Sequence, residues 1–222
     1  MNKEMEGLRQ KGTFGKEILP SDRKAIKTRF VYNIKRTAQG AVERYKARLV
    51  ARGFTQHEGV DFFQTFSPVV GYDTLRAVLS VAAYRGWNID ALDFTQAYLN
   101  ATLKEDVWLE LPDGEIVKAN KSIYGLKQSA MEWYKELRGT ILAEGWGSSA
   151  YDECLYYRES NDGRIAILTS YVDDTLFTGD FTEEIARMRK RLLEMYEGRD
   201  PGTPDKLVGV RITIRKDGIT LH

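Results

Sequence analysis

The sequence predicts an α+β fold in which helices back one face of an antiparallel sheet. Two observations carry this. Between residues 73 and 179 the apolar periods run helix, strand, helix and then meander, an order that builds such a sheet. The β-branched, aromatic run Ile165–Tyr171 is followed by two adjacent carboxylates, Asp173 and Asp174, and then by a second apolar run to Gly179. Asp is poor in a strand interior, so this pair belongs at a hairpin tip or in the turn itself. Two carboxylates so close repel, and a divalent cation is one way to offset that; an acidic turn without chemistry is the plainer reading of the dipeptide alone.

Composition sets the bounds. At 222 residues and 42% hydrophobic content, the chain buries a sizeable core as one large domain or two subdomains. Thirty-three basic and 32 acidic residues leave a net charge of +1, so the total is silent about nucleic acid. The distribution is not: from Asp22 to Arg52 there are ten basic against two acidic residues, interleaved with Phe30, Tyr32 and Tyr45. That pattern suits a phosphate backbone and equally a solvated hairpin face. A single cysteine, Cys154, excludes a disulfide scaffold and a cysteine-based zinc site, fits a reducing compartment and reads as a core residue. No run of roughly 18 apolar residues occurs, so no membrane span is expected. The polar start of the chain lacks a signal-peptide core.

In chain order, residues 1–18 show no period and read as a poorly ordered leader. Thr28–Lys35 and Arg44–Arg52 form a basic hairpin through a loop containing Thr37–Gly40, and Gly53–Val70 is loop with short helix. Asp73 is placed as the N-cap of a helix carrying Leu75, Val78, Leu79 and Ala82, which Gly86 stops. Trp87–Asp93 alternates as a strand, so Asp93 points with the apolar face, unusual for a carboxylate without a cation partner. Phe94–Ala101 is a turn or short helix, Val107–Leu111 a short strand, and Ser129–Glu144 an amphipathic helix stopped by Gly145. Asn161-Asp162-Gly163 signals a two-residue hairpin pairing Cys154–Arg158 with Arg164–Val172. Asp180 to Glu183 resembles a capping box, opening a helix with Ile185, Met188, Leu192 and Met195 inward and a solvated basic face over Arg187–Arg191. Gly198–Pro204 reads as a linker. Val208 to Ile214 alternates as a strand, turned at Lys216-Asp217-Gly218 into Ile219–Leu221, and this ending inside a hairpin is expected of a fragment.

Chemistry is expected where Asp93, Asp173 and Asp174 converge. Strand ends 80 residues apart in sequence can lie side by side, and hard oxygen ligands suit Mg²⁺. Two ions about 4 Å apart clamp the oxygens of an in-line phosphoryl displacement. His57 and His222 are the only histidines, and no Gly-rich phosphate loop is present, so histidine acid–base or Walker-type chemistry has little material.

Five blocks, Glu43–Gln56, Thr65–Val70, Leu92–Asn100, Ser122–Gln128 and Tyr171–Asp174, occur in an order and spacing that resemble the reverse transcriptase domain of copia-type LTR retrotransposon polyproteins, from about residue 19 onward. The resemblance implies a right-hand polymerase core with an antiparallel palm sheet backed by helices: fingers over 19–72 and 102–128, palm over 73–101 and 129–198, and a primer-grip hairpin opening a truncated thumb over 199–222. It implies RNA-directed DNA synthesis, with Asp93 and Asp173 as the metal-binding carboxylates and Asp174 necessary but more peripheral. Two Mg²⁺ ions are implied, with Mn²⁺ as a substitute. Tyr98 matches the aromatic residue under the incoming sugar, whose ring excludes a 2′-OH. Gln128 matches an amide near the nucleotide and template base. Lys46 and Arg48, on one face of a strand, match the triphosphate contact, the resemblance leaving open which of them makes it. Tyr171 and Val172 flank the primer terminus, and Val208, Gly209 and Val210 match the primer grip, where Lys206–Gly209 departs from the family's Phe-Leu-Gly pattern.

The implied partners are an RNA or DNA template-primer, dNTPs and the integrase and ribonuclease H domains of a longer polyprotein, in a cytoplasmic virus-like particle or the nucleus and without a membrane. These 222 residues hold no full thumb, so weak duplex grip is expected, since affinity sums over many phosphate contacts. Two rivals carry other expectations: an inactive retrotransposon remnant that binds nucleic acid, and an unrelated metal-dependent nuclease, in which Tyr98 and the basic hairpin have no task.

Overall fold

Each of two units is built from two stretches of chain: residues 1–66 with 98–133, and residues 67–97 with 134–222. The computed structural model describes residues 1–36, 40–215 and 218–221. Thr37 to Gln39 of the expected hairpin loop, Lys216-Asp217 of the last turn and His222 lie outside the described residues.

In chain order the elements are α1 (Asn2–Gln10), β1 (Phe14–Gly15), β2 (Ile26–Arg36), β3 (Val42–Ala51), α2 (Tyr72–Arg85), β4 (Ile89–Phe94), β5 (Trp108–Glu110), β6 (Ile116–Ala119) and α3 (Ser129–Ala143). There follow β7 (Gly147–Ser148), β8 (Leu155–Glu159), β9 (Ile165–Tyr171), β10 (Asp174–Gly179), α4 (Thr182–Met195), β11 (Gly198–Gly202), β12 (Lys206–Leu207), β13 (Val210–Arg215) and β14 (Gly218–Leu221). Among the described residues these make a mixed α+β chain of four α-helices and three sheets.

The first unit holds a five-stranded sheet in the order β1-β6-β5-β2-β3. Its long basic hairpin pairs β2 with β3 from Thr28 opposite Ala51 to Lys35 opposite Arg44. On β3 the residues Leu49 and Ala51 are buried in a core with Ile26, Leu109 and Ile123, which puts Lys46 and Arg48 on the other face. The stretch expected as a poorly ordered leader forms α1, whose Leu8 is 3% exposed and joins this core. One buried side chain in a polar nonapeptide leaves no period to read, so only the tertiary contact reveals the helix.

The second unit carries a six-stranded sheet, β11-β4-β10-β9-β8-β7, and a small sheet, β12-β13-β14. The expected meander is present: Leu155 pairs with Thr169 and Glu159 with Ile165. Its connection spans Ser160–Arg164, longer than the two residues expected, because Ser160 and Arg164 pair within the loop and Asp162 turns back onto Arg164. Leu75, Val78, Leu79 and Ala82 of α2 pack with Ile89, Leu176, Leu207 and Ile212, and Gly86 ends the helix at φ +68.

Four local expectations are corrected. Gly71, not Asp73, caps α2, and Asp73 sits in the first helical turn, where its charge still complements the dipole. Asp180 does not cap α4: its carboxylate accepts the Ile165 N–H at 2.7 Å, and Phe181 is the cap residue. Met195 is 41% exposed, unlike the buried Ile185, Met188 and Leu192. Gly198–Pro204 is not a linker, since β11 adds to the sheet beside β4 as an edge strand, where Pro201 is tolerated. The basic face of α4 is exposed at Arg187, Lys190 and Arg191, as expected, and it is also paired: Arg187 and Arg191 with Glu144, and the more buried Arg189 with Asp90 and Asp200.

Two glycines of the first unit meet backbone to backbone. A Cβ on Gly125 would stand 2.2 Å from the Ala51 carbonyl oxygen, and one on Gly53 would stand 2.0 Å from the Gly125 oxygen. Gly125→Ala therefore adds a clash to the left-handed strain at φ +91, whereas Gly163→Ala, at φ +84 in open space, incurs the strain alone. We expect Gly163→Ala to cost about 1–2 kcal/mol and Gly125→Ala about 3 kcal/mol or more. Equal shifts of the urea midpoint for the two variants would contradict this packing.

Candidate active site

Register decides what the carboxylates do. β10 lies between β4 and β9, and Asp174 pairs with Asp93 on one side and Tyr171 on the other. Directly opposed residues in an antiparallel pair share a face, so Asp93 and Asp174 are like charges set side by side. The same face carries Ile89, Ala91 and Leu176, as the alternation of β4 implied. Burial and the neighbouring Asp93 hold the Asp174 carboxyl above its ordinary range, and the Val208 N–H donates to it in partial compensation.

The turn joining β9 to β10 is Val172-Asp173, a two-residue hairpin loop. Val172 has φ +51, a conformation that costs a β-branched residue about 1–2 kcal/mol. Asp173 is tied down through its backbone, its carbonyl accepting the Phe94 N–H at 2.9 Å. A second hairpin repeats the strain: Val208 at φ +51 and Gly209 at φ +81 turn β12 into β13, with Leu207 opposite Val210. The strand expected through Val208 is therefore broken there, and the turn delivers the N–H that meets Asp174. Val172 and Val208, picked out in the sequence, are two of the three described non-glycine residues at positive φ, the third being Gln96. Such strain collects at functional sites.

Sequence reasoning missed Arg199. It stands opposite Asp93 on β11 and pairs with the Asp93 carboxylate, so Asp93 lies between an anion on one flank and a cation on the other. The residue was hidden in a Gly/Pro-rich stretch that reads as a linker. Beside it, a cavity of about 470 Å³ is lined by Asp93, Asp174, Arg199, Pro204 and Lys206 among others. The structure thus pairs Asp93 with Asp174. Among the described residues it gathers no three His, Cys, Asp or Glu side chains into one group suited to an ion. The donor set nevertheless fits a divalent cation, since hard oxygens in a half-buried like-charge pair already draw one positive group, Arg199, onto themselves.

The first unit assembles a cationic site of its own. Lys46 and Arg48 share a strand face, and burial together with Arg48, Arg44 and Lys35 pulls the Lys46 ammonium below its usual range. Such crowding favours an anion. Arg48 has its Nε buried without a hydrogen-bond partner, and its guanidinium lies 4.9 Å from the Tyr124 ring centroid. Tyr98 is half-buried, with its ring 4.9 Å from that of Tyr124. Gln128 is wholly buried: its amide donates to the Asp61 carbonyl at 2.8 Å and accepts from Gln56 at 2.9 Å. Gln56 also accepts the Lys127 N–H, so the Glu43–Gln56 and Ser122–Gln128 blocks are knit into one structure. Cys154 is a buried core residue whose thiol burial pushes up to about 11. Among the described residues no helix is long and apolar enough to cross a membrane.

Residues 12–222 match the family described as "Reverse transcriptase (RNA-dependent DNA polymerase)". The chain is 33% identical over 220 residues to the "Retrovirus-related Pol polyprotein from transposon TNT 1-94" of Nicotiana tabacum, covering 96% of this chain and 17% of that protein. It is 39% identical over 169 residues to the corresponding polyprotein from transposon RE1 of Arabidopsis thaliana, covering 72% of this chain and 12% of that one. Against the "Transposon Ty1-BL Gag-Pol polyprotein" of Saccharomyces cerevisiae it is 33% identical over 134 residues, 58% of this chain and 7% of that protein. The chain thus spans less than a fifth of the length of these curated relatives.

Opposed carboxylates make a stability prediction. Because folding raises the Asp174 carboxyl, its contribution favours the fold at low pH and is lost as pH rises through the raised value. Asp174→Asn keeps the shape and an acceptor for Val208 but removes the charge. In EDTA near pH 8 it is expected to raise unfolding free energy by up to about 1 kcal/mol, with the gain shrinking toward pH 4. A variant less stable than the parent at both pH values would contradict the like-charge pair.

Proposed function

This chain belongs to the reverse transcriptase (RNA-dependent DNA polymerase) family, in its copia-type retrotransposon branch, and on that footing we propose that it catalyses template-directed DNA synthesis. The observation that carries the proposal is the register that sets Asp93 opposite Asp174 beside the strained Val172-Asp173 turn. A structural turn has no need of either feature.

In this reading the first unit corresponds to fingers and the second to palm and the start of a thumb. Asp93, Asp173 and Asp174 would hold divalent metal; bound Mg²⁺, as two ions or with Mn²⁺ in its place, supplies charge neutralisation and an acidified primer hydroxyl. The primer 3′-oxygen bonds to the α-phosphorus of a dNTP, the bond to the bridging oxygen breaks, and pyrophosphate leaves. Lys46 and Arg48 bind the triphosphate of that nucleotide, and Tyr98 packs under its sugar so that a 2′-OH clashes. Tyr171 and Val172 flank the primer terminus, and the turn at Val208-Gly209-Val210 supports it while its Val208 N–H holds Asp174. Gln128, with its amide spent on Gln56 and Asp61, acts on the nucleotide from behind by fixing the Gly125–Lys127 loop. Catalysis rests on positioning and charge neutralisation, without a covalent intermediate. The substrates are a template-primer and dNTPs, and the partners are the remaining domains of a longer polyprotein, an integrase and a ribonuclease H.

Primer extension on an RNA template with Mg²⁺ or Mn²⁺ tests this. Extension by the parent chain is expected to fall by on the order of 10³ in Asp93→Asn and Asp173→Asn. Binding of template-primer without extension would favour an inactive nucleic-acid-binding remnant, and shortening of the template would favour a nuclease.

A further inference from the structure

Three side chains from three segments of the first unit meet in series. The Arg48 guanidinium on β3 covers the face of Tyr124, and the Tyr124 ring meets Tyr98 at 4.9 Å with a tilt of 59°. The middle member is the best anchored. The Tyr124 carbonyl accepts the Ala51 N–H at 2.8 Å, and the adjoining Gly125 is pressed so closely on Ala51 that no side chain fits there. The Arg48 guanidinium carbon lies over the Tyr124 ring, 4.9 Å from its centroid, and the Nε is buried with no hydrogen-bond partner. A buried guanidinium N–H without a partner is costly, so an acceptor brought to Arg48 would be bound favourably.

We propose that Tyr124 is a positioning residue for nucleotide binding: its ring holds the Arg48 guanidinium in the pose that meets a nucleoside triphosphate and props the Tyr98 ring that faces the sugar. Triphosphate grip and sugar selection are thereby set through one side chain. The inference rests on the nucleotide-pocket reading above and deepens it. Between the two cations it assigns the directional contact to Arg48, since a planar fork held on a ring meets phosphate oxygens in fixed geometry, and leaves Lys46 as a point charge. Tyr124 itself touches no reacting atom. Its effect passes through Arg48 and Tyr98, by a cation–π contact and a ring–ring contact.

The test is steady-state primer extension by the whole chain with dGTP and with GTP, alongside calorimetric binding of dGTP, GTP and tripolyphosphate. Tyr124→Leu is expected to raise KM for dGTP roughly tenfold with kcat changed little, to weaken tripolyphosphate binding similarly and to narrow discrimination against GTP. Tyr124→Phe, which keeps the ring, restores all three. Arg48→Lys keeps the charge but not the flat face, and gives the same KM rise in a chain whose Tyr124 ring still supports the fold. If the chain binds nucleotides without extending primers, the dGTP-to-GTP affinity ratio carries the same comparison. Parent-like KM and discrimination in Tyr124→Leu, or equal damage in Tyr124→Phe, overturns this inference alone. A parent chain that binds neither dGTP nor tripolyphosphate overturns the nucleotide-pocket reading and this inference with it.

Discussion

An antiparallel register that sets one carboxylate opposite another is the constraint the second unit is built around. Once β10 pairs with β4 as it does, Asp174 must face Asp93 on the same side of the sheet. Charge repulsion then has to be met locally, and several otherwise odd features answer it. Arg199 arrives on an edge strand to engage Asp93, and Lys206 lies near enough to draw the Asp174 carboxyl down against its burial. The Val208 N–H reaches Asp174 only because the β12–β13 turn adopts a conformation that a valine resists. A fold selected for stability alone would replace such a pair with apolar residues. Such a pair is what the metal-dependent chemistry proposed above would use.

The first unit shows the same economy with the opposite sign. Lys46, Arg48, Arg44 and Lys35 crowd one region of the basic hairpin, and their mutual field depresses the Lys46 ammonium. What holds the region in shape is neutral: two glycines in backbone contact, and a buried amide network through Gln56, Gln128 and the Asp61 carbonyl. These contacts explain why glycine and glutamine recur inside both sequence blocks. Gly53 and Gly125 permit the approach, and the amides satisfy the polar groups it buries.

Much of this is legible in the sequence. The alternation Trp87–Asp93 placed Asp93 on the apolar face, and the poor fit of Asp to strands placed Asp173 and Asp174 at a hairpin tip; both follow from local rules. The rest depended on partners distant in sequence. Which residue faces Asp93 is a matter of register, and no local rule fixes it across 80 intervening residues. Gly198–Gly202 has the composition of a linker and becomes a strand only because β4 offers an edge, so Arg199 was overlooked. That Gln128 is buried depends on Gln56 and the Asp61 carbonyl, partners no local pattern reveals. Asp180 does not cap its helix because a motif states what a side chain can bond, not what a neighbouring strand offers it first, and at Asp73 the helix starts earlier than the motif suggests.

Opposed carboxylates held by register, rather than by a third ligand already in place, should form a divalent-cation site of modest affinity that depends on both members. Mn²⁺ titration of the whole chain, followed by the loss of the free-ion electron paramagnetic resonance signal, measures this without any need for turnover. The account predicts saturable binding that Asp93→Asn abolishes while the fold is retained. Undiminished binding in Asp93→Asn, or none in the parent chain at millimolar Mn²⁺, would contradict it.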